Sequence, residues 1–360
     1  MGGGFQLGID MTNLKDRSES ASGDRLIDRA DALFLYLDGT VYHGMRPIPE
    51  AVATLKQVYP YVGFKYITNN ASRSSDTVAN VLREMGLPAS PGDILTSAEA
   101  GISLLTKKVP EGSAILVLGS SALKELAVKA GFVVVESADD FPVAVIQGHA
   151  PTTGWAQMSE AALAINNGAM YIATNMDTTL PTERGLTVGN GSMIAAVTSA
   201  TSVIPLSAGK PSGDMFTQAA SELNSVRPLA VGDRLNTDIA GGVAAGMSTL
   251  MVMTGVSGHH DLLVAEPSER PTYIAEDMTA LFRPAVQSTP EPKPGWRIHL
   301  TPEGVLTLSS IDNSHTPSNK GRSHDALLGA LAVVWRKGAP PVTTVTATDE
   351  HAQNVIDTWR

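Results

Sequence analysis

The chain contains no cysteine among its 360 residues, and it is also poor in charged and aromatic side chains. Without cysteine it can have no disulfide framework, no thiolate nucleophile and no cysteine-ligated zinc site. This absence suits a reducing compartment, so we expect a cytoplasmic protein. Charged residues make up 17%, aromatic residues 5% and hydrophobic residues 43% of the chain. These proportions are typical of a globular protein and argue against wholesale disorder.

Long uninterrupted hydrophobic runs are missing as well. The first 30 residues contain no apolar segment of the kind that a secretory signal requires. Residues 185–209 carry no charge, but Gly189-Asn190-Gly191, Pro205 and several Ser and Thr residues interrupt the stretch. A segment of this composition is a poor bilayer span, so we expect no membrane partner.

Positive charge is in the minority: 26 basic residues stand against 36 acidic ones, for a formal net charge of −10. Such a surface repels phosphate backbones, so we expect no nucleic-acid partner. At about 150 residues per domain, the length indicates two or three domains. The composition leaves a homo-oligomer open.

From residue 31 onward, short apolar runs alternate with amphipathic segments. Strands are predicted at 32–36, 64–67, 114–118, 133–135, 143–146, 170–173, 229–231 and 249–253, and helices at 49–59, 78–85, 122–130 and 237–245. This alternation predicts βαβ units on a parallel sheet, in which ligands bind beyond the carboxyl ends of the strands.

The chain changes character at residues 284–295, where four prolines predict a stiff linker. Beyond the linker, 296–300 and 305–309 indicate a hairpin, an apolar stripe from 327 to 335 indicates a helix, and a last helix is expected near 350–359. About 65 residues form a marginal domain when alone, so we expect this small α+β unit to dock on the main body.

Polar residues follow three of the predicted strands in an informative order. Asp38-Gly39-Thr40 follows the first strand, Thr68-Asn69-Asn70 the second, and Gly232-Asp233 a later one, with Asp238 shortly after it. Gly209-Lys210-Pro211 lies between the last two groups. In a parallel sheet these loops converge at one edge, where carboxylates, a lysine and backbone amides suit a phosphoryl group with Mg²⁺.

These motifs, in this order, resemble the haloacid dehalogenase (HAD) superfamily, in its subclass with a large C2-type cap, the NagD and p-nitrophenyl phosphatase-like group. The resemblance covers residues 31–280, and the long gap between Thr68 and Lys210 is where that subclass inserts its cap. The run 173–177 and Gly189-Asn190-Gly191 also resemble this cap. The resemblance implies a Rossmann-like parallel-sheet HAD core with an inserted α/β C2 cap.

Domain boundaries follow from this comparison. We expect an N-terminal tail at 1–30, the HAD core at 31–95 and 207–283, the C2-type cap at 96–206, the Pro-rich linker at 284–295 and the appended domain at 296–360. Some relatives of the subclass carry a C-terminal piece that resembles a reduced acetyltransferase (GNAT) fold, and this unit is a candidate for one. It lacks a pyrophosphate-binding loop, so acetyl-CoA binding is not expected.

The resemblance also assigns roles in the core. It implies that Asp38 is the general acid and base, that Thr68 and Asn69 bind the phosphate, and that Lys210 offsets negative charge in the transition state. In isolation Asp38 could instead cap a turn, and Lys210 could be an ordinary surface lysine.

A Mg²⁺ cofactor is implied in the same way. Asp233 resembles the metal ligand, Asp238 a second or alternative ligand, and the backbone carbonyl of Asp38 would complete the set. Without the family, Asp233 and Asp238 would be a turn residue and a first-turn helix acid. In the cap, Asn175, Asp177 and Arg184 are candidates for choosing the leaving group.

One departure from the family motif outweighs these matches. The family places an aspartate nucleophile two residues before the general acid, and here that position is Tyr36. A phenol with a reference pKa of about 10 is neutral at pH 7, so it replaces neither the nucleophile nor a Mg²⁺ ligand. Removing a nucleophile that acts within a catalytic unit costs roughly 10⁶-fold in kcat.

Two functional hypotheses follow. The first is a Mg²⁺-dependent phosphomonoesterase scaffold for a small phosphorylated metabolite, such as glycerol 3-phosphate or a phosphoglycolate-like ester, that is strongly impaired by Tyr36. The second is a catalytically silent phosphate-binding or interaction protein in which Tyr36 fills the nucleophile and metal site.

Overall fold

The computed structural model describes residues 25–71, 73–182, 184–209, 212–311 and 319–359. The strands are β1 (Ala32–Leu35), β2 (Tyr42–His43), β3 (Arg46–Pro47), β4 (Gly63–Thr68), β5 (Ile94–Thr96), β6 (Ala114–Leu118), β7 (Val133–Val135), β8 (Ala144–Gln147), β9 (Met170–Ala173), β10 (Thr179–Thr182), β11 (Gly185–Val188), β12 (Leu206–Ser207), β13 (Pro228–Gly232), β14 (Ser248–Val252), β15 (Tyr273–Ala275), β16 (Trp296–Leu300), β17 (Val305–Ser310) and β18 (Thr344–Ala347). The helices are α1 (Pro49–Val58), α2 (Ser75–Glu84), α3 (Ser97–Lys108), α4 (Ser121–Lys129), α5 (Trp155–Asn166), α6 (Asn190–Thr201), α7 (Asp214–Leu223), α8 (Ala240–Ala244), α9 (His259–Leu263), α10 (Asn319–Val334) and α11 (Glu350–Ile356).

The main sheet has the strand order β15-β14-β13-β1-β4-β5, and every pairing in it is parallel. Strand β1 lies inside the sheet and is buried on both faces, which explains its continuous apolar run. Leu33 and Leu35 pack into the core on one face, while Phe34 and Tyr36 pack into the core on the other. Because successive side chains of a strand point to opposite faces of the sheet, Tyr36 lies on the same face as Phe34.

A second parallel sheet, ordered β12-β9-β8-β6-β7, is built from the chain between β5 and β13. An antiparallel hairpin of β10 and β11 accompanies it. This is the inserted α/β unit of the predicted architecture, and the parallel core with an insertion is confirmed.

The C-terminal unit has a three-stranded sheet, β16-β17-β18, with α10 and α11. The predicted hairpin is present as the antiparallel pair β16 and β17, and β18 joins β17 in parallel. Trp296 and Leu327 share one hydrophobic cluster with Met251 and Ile274 of the main sheet. The segment before the unit also packs inward, because Ala285 and Ser288 are buried.

In two segments the observed secondary structure differs from the predicted one. The predicted helix 237–245 is a π-helical turn, Leu235–Ile239, followed by α8. The turn is wide because the Asp238 side chain folds back to accept the backbone N–H groups of Asp233 and Arg234. His259 and His260, expected in a loop, begin helix α9, which Asp261 caps by accepting the Gly258 N–H at 2.8 Å.

No helix in the described ranges has the length and apolar character that crossing a bilayer requires.

Candidate active site

A cavity of about 520 Å³ opens where the carboxyl ends of β1, β4 and β13 meet the inserted unit. Eight residues predicted for the site line it: Tyr36, Asp38, Thr68, Asn69, Asn175, Asp177, Asp233 and Asp238. The parallel sheet brings these residues together, as expected from the position of their loops at one sheet edge.

Tyr36 lies at the floor of this cavity and is 2% exposed. Its backbone N–H continues the ladder of β1 by donating to the Val231 carbonyl, and its ring meets Phe216 edge-on at 5.5 Å. Burial raises the pKa of the phenol well above its usual range, and the carboxylates of Asp238 and Asp177 add to the shift. The side chain is therefore a neutral, packed ring at neutral pH.

Asp233 is held in a tight clamp at the end of β13. The Thr40 hydroxyl donates to its Oδ1 at 3.0 Å, and the Val256 N–H donates to its Oδ2 at 2.9 Å. A Cβ added to Gly39 or Gly255 would lie 2.2 or 2.0 Å from Oδ2. Both glycines are thus required by the close approach of the carboxylate, and this approach fixes the carboxylate in place.

Asp238 is 3% exposed and lies beside the same strand end. Its Oδ2 accepts the backbone N–H groups of Asp233 and Arg234, each at 3.3 Å, and its Oδ1 accepts the Thr237 hydroxyl at 3.0 Å. Asp238 therefore organises the loop that carries Asp233.

Asp38 differs from these two carboxylates because it is exposed to solvent. Its Oδ1 accepts the N–H of Gly44 at 3.2 Å, at the turn between β2 and β3. An exposed carboxylate at the cavity mouth has room to exchange a proton with a substrate or with water.

Asn69 joins the core to the inserted unit. Its side-chain amide donates to both oxygens of Asp177, at 3.1 and 3.0 Å, and its backbone carbonyl accepts the Asn175 amide at 2.8 Å. The Ser97 hydroxyl donates to the same carbonyl at 2.6 Å. Asn175 and Asp177 thus bind the core loop directly in this conformation.

The glycines of the 189–191 loop allow close backbone approach. A Cβ on Gly189 would lie 2.3 Å from the Asp177 carbonyl oxygen, and one on Gly191 would lie 2.2 Å from that of Met176. Gly189 has a φ of −91°, within reach of any residue. Packing against the 175–177 loop, and not a special turn conformation, explains these glycines.

Two further predicted site residues are Arg184 and Lys210. Arg184 is exposed at the turn between β10 and β11 and is not a lining residue of the cavity. Lys210 lies outside the described residues.

Several lining residues were given no role in the site from the sequence, among them Asn70, Arg73, His149 and Arg234. Arg234 directly follows Asp233, and Asn70 and Arg73 follow Asn69 closely, so proximity to a motif was the available signal. His149 ends no motif that we recognised; burial lowers the pKa of its imidazole, so at neutral pH it is a neutral hydrogen-bonding group.

The family's expected metal, Mg²⁺, is a hard cation that prefers anionic oxygen ligands. Asp233 and Asp238 supply carboxylates, but position 36 supplies a neutral phenol. In the described part of the chain, no three His, Asp or Glu side chains come together in a group that could hold a metal ion. The described residues of this chain therefore do not fit a complete magnesium site.

Known proteins of similar sequence identify the family of this chain. Residues 33–133 match the family described as haloacid dehalogenase-like hydrolase, and residues 207–281 match the one described as HAD-hydrolase-like. A D-glycerol 3-phosphate phosphatase of Mycobacterium tuberculosis (strain ATCC 25618 / H37Rv) is 40% identical over 333 residues, which are 91% of this chain and 94% of that one. The chain belongs to the HAD superfamily.

Solved structures of HAD proteins also resemble the structure of this chain. A glycerol phosphate phosphatase of Mycobacterium tuberculosis, in complex with magnesium, matches with a TM-score of 0.87 at 39% identity, covering 94% of this chain and 99% of that chain. NagD of Escherichia coli K-12 matches with a TM-score of 0.63 at 30% identity, over 69% of this chain and 96% of its own. The expected C2-capped subclass is confirmed, and the expected Mg²⁺ cofactor agrees with the magnesium complex of that mycobacterial relative.

An acid sugar phosphatase of Staphylococcus aureus (strain USA300) is 34% identical over 69% of this chain and 95% of its own length. The relatives named for their activity are phosphatases, so the chain belongs to the phosphatase branch of the superfamily.

Proposed function

We propose that this chain is a HAD phosphomonoesterase scaffold of the glycerol 3-phosphate phosphatase type whose hydrolytic step is strongly impaired by Tyr36. The observation that carries the proposal is the buried, neutral phenol in the nucleophile position, packed on Phe216. Glycerol 3-phosphate is the first substrate to test, because the mycobacterial relative is named for it. The cavity of about 520 Å³ is within the range for small ligands.

The charge balance of the cavity supports a role for metal in an active form. The carboxylates that line it are Asp38, Asp177, Asp233 and Asp238, and the described guanidinium groups are those of Arg73 and Arg234. This excess of negative charge opposes a phosphate ester. We propose that an aspartate at position 36 restores Mg²⁺ binding together with Asp233, and that the bound cation offsets part of this charge.

In a variant with Asp at position 36, the chemistry has two steps. The new carboxylate forms a bond to phosphorus while the bond to the leaving oxygen breaks, and Asp38 gives that oxygen its proton. Water then attacks phosphorus, Asp38 takes up the proton, and the bond between phosphorus and the aspartyl oxygen breaks. Thr68 and Asn69 are the proposed phosphate contacts, and Lys210 the proposed charge-neutralising group.

The test measures hydrolysis of p-nitrophenyl phosphate and glycerol 3-phosphate with Mg²⁺ for the chain as written, Tyr36→Asp and Tyr36→Phe. We expect Tyr36→Asp to raise kcat by roughly 10³- to 10⁶-fold. The matched Tyr36→Phe variant removes only the hydroxyl and stays as inactive as the original. Comparable, robust turnover in all three proteins would contradict the assignment of position 36.

The second candidate is a silent phosphate-ligand binder or interaction protein. It is favoured by the clamp on Asp233, because protein groups donate hydrogen bonds to both of its carboxylate oxygens. This reading prevails if the native chain and Tyr36→Asp are both inert while the native chain binds inorganic phosphate in calorimetry.

A further inference from the structure

The C-terminal unit shares a hydrophobic core with the loop that carries Asp233 and Asp238. Leu235 and Ile239 of the π-helical turn lie in the same buried cluster as Leu262 of α9 and Leu327 of α10. We propose that the C-terminal unit positions the Asp233 loop through α9, with Trp335 and Trp359 as positioning residues. The catalytic meaning of this proposal rests on the proposed function, whereas the physical linkage does not.

The first link joins α10 to the far end of α9. Trp335, directly after α10, donates its indole N–H to the Leu262 carbonyl at 3.1 Å. The Arg270 guanidinium lies 5.6 Å from the centre of the Trp335 ring and donates to its backbone carbonyl at 3.3 Å. Trp335 is thus fixed by contacts on its ring edge, its ring face and its backbone.

The second link holds the beginning of α9. The Trp359 ring stacks on His259, with 6.0 Å between ring centres and an angle of 8° between planes. Trp359 is itself anchored, because its indole N–H donates to the Ser323 hydroxyl at 3.2 Å. Two indoles from the last part of the chain therefore hold α9 near both of its ends.

The third link runs from α9 to the carboxylate. The residues just before α9 include Val256, whose N–H donates to Asp233 Oδ2, and Ser257, whose N–H donates to the Asp233 carbonyl at 3.1 Å. The Ser257 hydroxyl accepts the Leu235 N–H at 3.1 Å. A displacement of α9 is therefore transmitted within three residues to the clamp on Asp233.

A second cavity makes these anchors important. It measures about 370 Å³ and is lined by Arg234 and Val256, which also line the main cavity. The loop that carries Asp233 is thus a wall between two cavities. Where the loop borders a cavity it has no packed neighbour on that side, so its position there depends on its remaining attachments.

The linkage is tested first in the chain with Tyr36 unchanged, by hydrogen exchange of the segment 254–258. We expect Trp359→Ala to speed amide exchange there about tenfold at temperatures well below unfolding, as for a local opening. Trp359→Phe, which keeps a ring over His259, should restore most of the protection. Trp155→Ala, at an indole that is 81% exposed on the inserted unit, is the matched control and should change nothing.

Should Trp359→Ala fail to fold, His259→Ala removes the same stack from the other side. Unchanged exchange of 254–258 in a folded variant of either residue overturns the proposal. A uniform rise in exchange across the whole protein also overturns it, because that is the signature of lost global stability alone.

The catalytic consequence is measured in the Tyr36→Asp background by calorimetric titration with Mg²⁺. Positioning of the metal ligand predicts that Trp359→Ala weakens Mg²⁺ binding about tenfold, the scale seen when outer partners of metal ligands are removed. If exchange responds and Mg²⁺ affinity does not, the loop is linked but its role in positioning a ligand is refuted. If Tyr36→Asp binds no Mg²⁺ at all, the proposed function fails while the exchange result stands.

Discussion

At the scale of single residues, the site depends on how closely backbone approaches one carboxylate. The order of motifs predicted that Gly39 and Asp233 share a site. It did not predict that Gly255 completes the clamp, because Gly255 follows no recognised motif. The properties of Tyr36 could likewise be predicted only in part. Its neutral phenol follows from the residue type, but its packing against Phe216 is known only from the folded structure.

Gly39→Ala tests the clamp. Gly39 has a φ of +80°, and its added Cβ would meet the Asp233 carboxylate at 2.2 Å, so the carboxylate must leave Thr40 and Val256. We expect a loss of at least about 3 kcal/mol in the free energy of unfolding.

Gly44→Ala is the matched control. Gly44 also has a positive φ, of +59°, but nothing lies within 4 Å of its added Cβ. Its cost should be about 1 kcal/mol, from backbone conformation alone. Urea denaturation measures both variants, and equal losses would show that the carboxylate moves aside freely.

At the scale of elements, the parallel strands and their polar ends could be predicted because buried strands read as continuous apolar runs. The hairpins β2–β3 and β10–β11 were missed because their short strands are largely exposed and carry no such run. Helix α9 was missed for a related reason. It is five residues long, and its starting signal, Asp261 three residues after Gly258, is weak in isolation.

The loop 175–177 offers a test at this scale, since Asp177 ties the inserted unit to Asn69. Asp177→Ala removes both acceptors, and the loss of about 1 kcal/mol should speed amide exchange in 69–71 and 175–177 about fivefold. Asp177→Asn keeps an acceptor oxygen and should stay near the original rate. Identical behaviour of the two variants would mean that these hydrogen bonds do not hold the loops together.

At the scale of the whole molecule, the appended unit was predicted to dock because it is too small to stand alone, and its shared cluster with the main body agrees. Which residues form the interface between this unit and the main body could not be predicted without the structure. His324 of α10 is an example: its imidazole interacts with backbone groups of Gln287 and Ile274, which lie outside the C-terminal unit.

Acid should lower the stability that His324 contributes at this interface. Burial, with Lys293 and His259 nearby, lowers the pKa of His324 to about 4. Because the folded pKa lies below the unfolded one, the unfolded chain binds more protons between these values. The contribution to stability is therefore complete above about pH 6.5 and is lost as the pH falls towards 4, by up to roughly 3 kcal/mol.

His324→Gln should flatten the dependence of unfolding free energy on pH across that interval, as measured by urea titration. His299→Gln, at an exposed position on β16, provides the control and should keep the original slope. A slope unaffected by His324→Gln would assign the acid sensitivity to other groups.

The insertion between β5 and β13 has a consequence for synthesis on the ribosome. The pair Thr40 and Asp233, which meet at 3.0 Å, are 193 residues apart in sequence. Strand β1 is apolar on both faces, yet its partner β13 is translated only after the entire inserted unit. Strand β1 can pair with β4 early in synthesis, but its other edge has no partner until the inserted unit has been translated, which favours chaperone binding at that edge. The inserted unit, contiguous in sequence, can fold first, and the cavity lined by Asp38 and Asp233 is completed only after it has been translated.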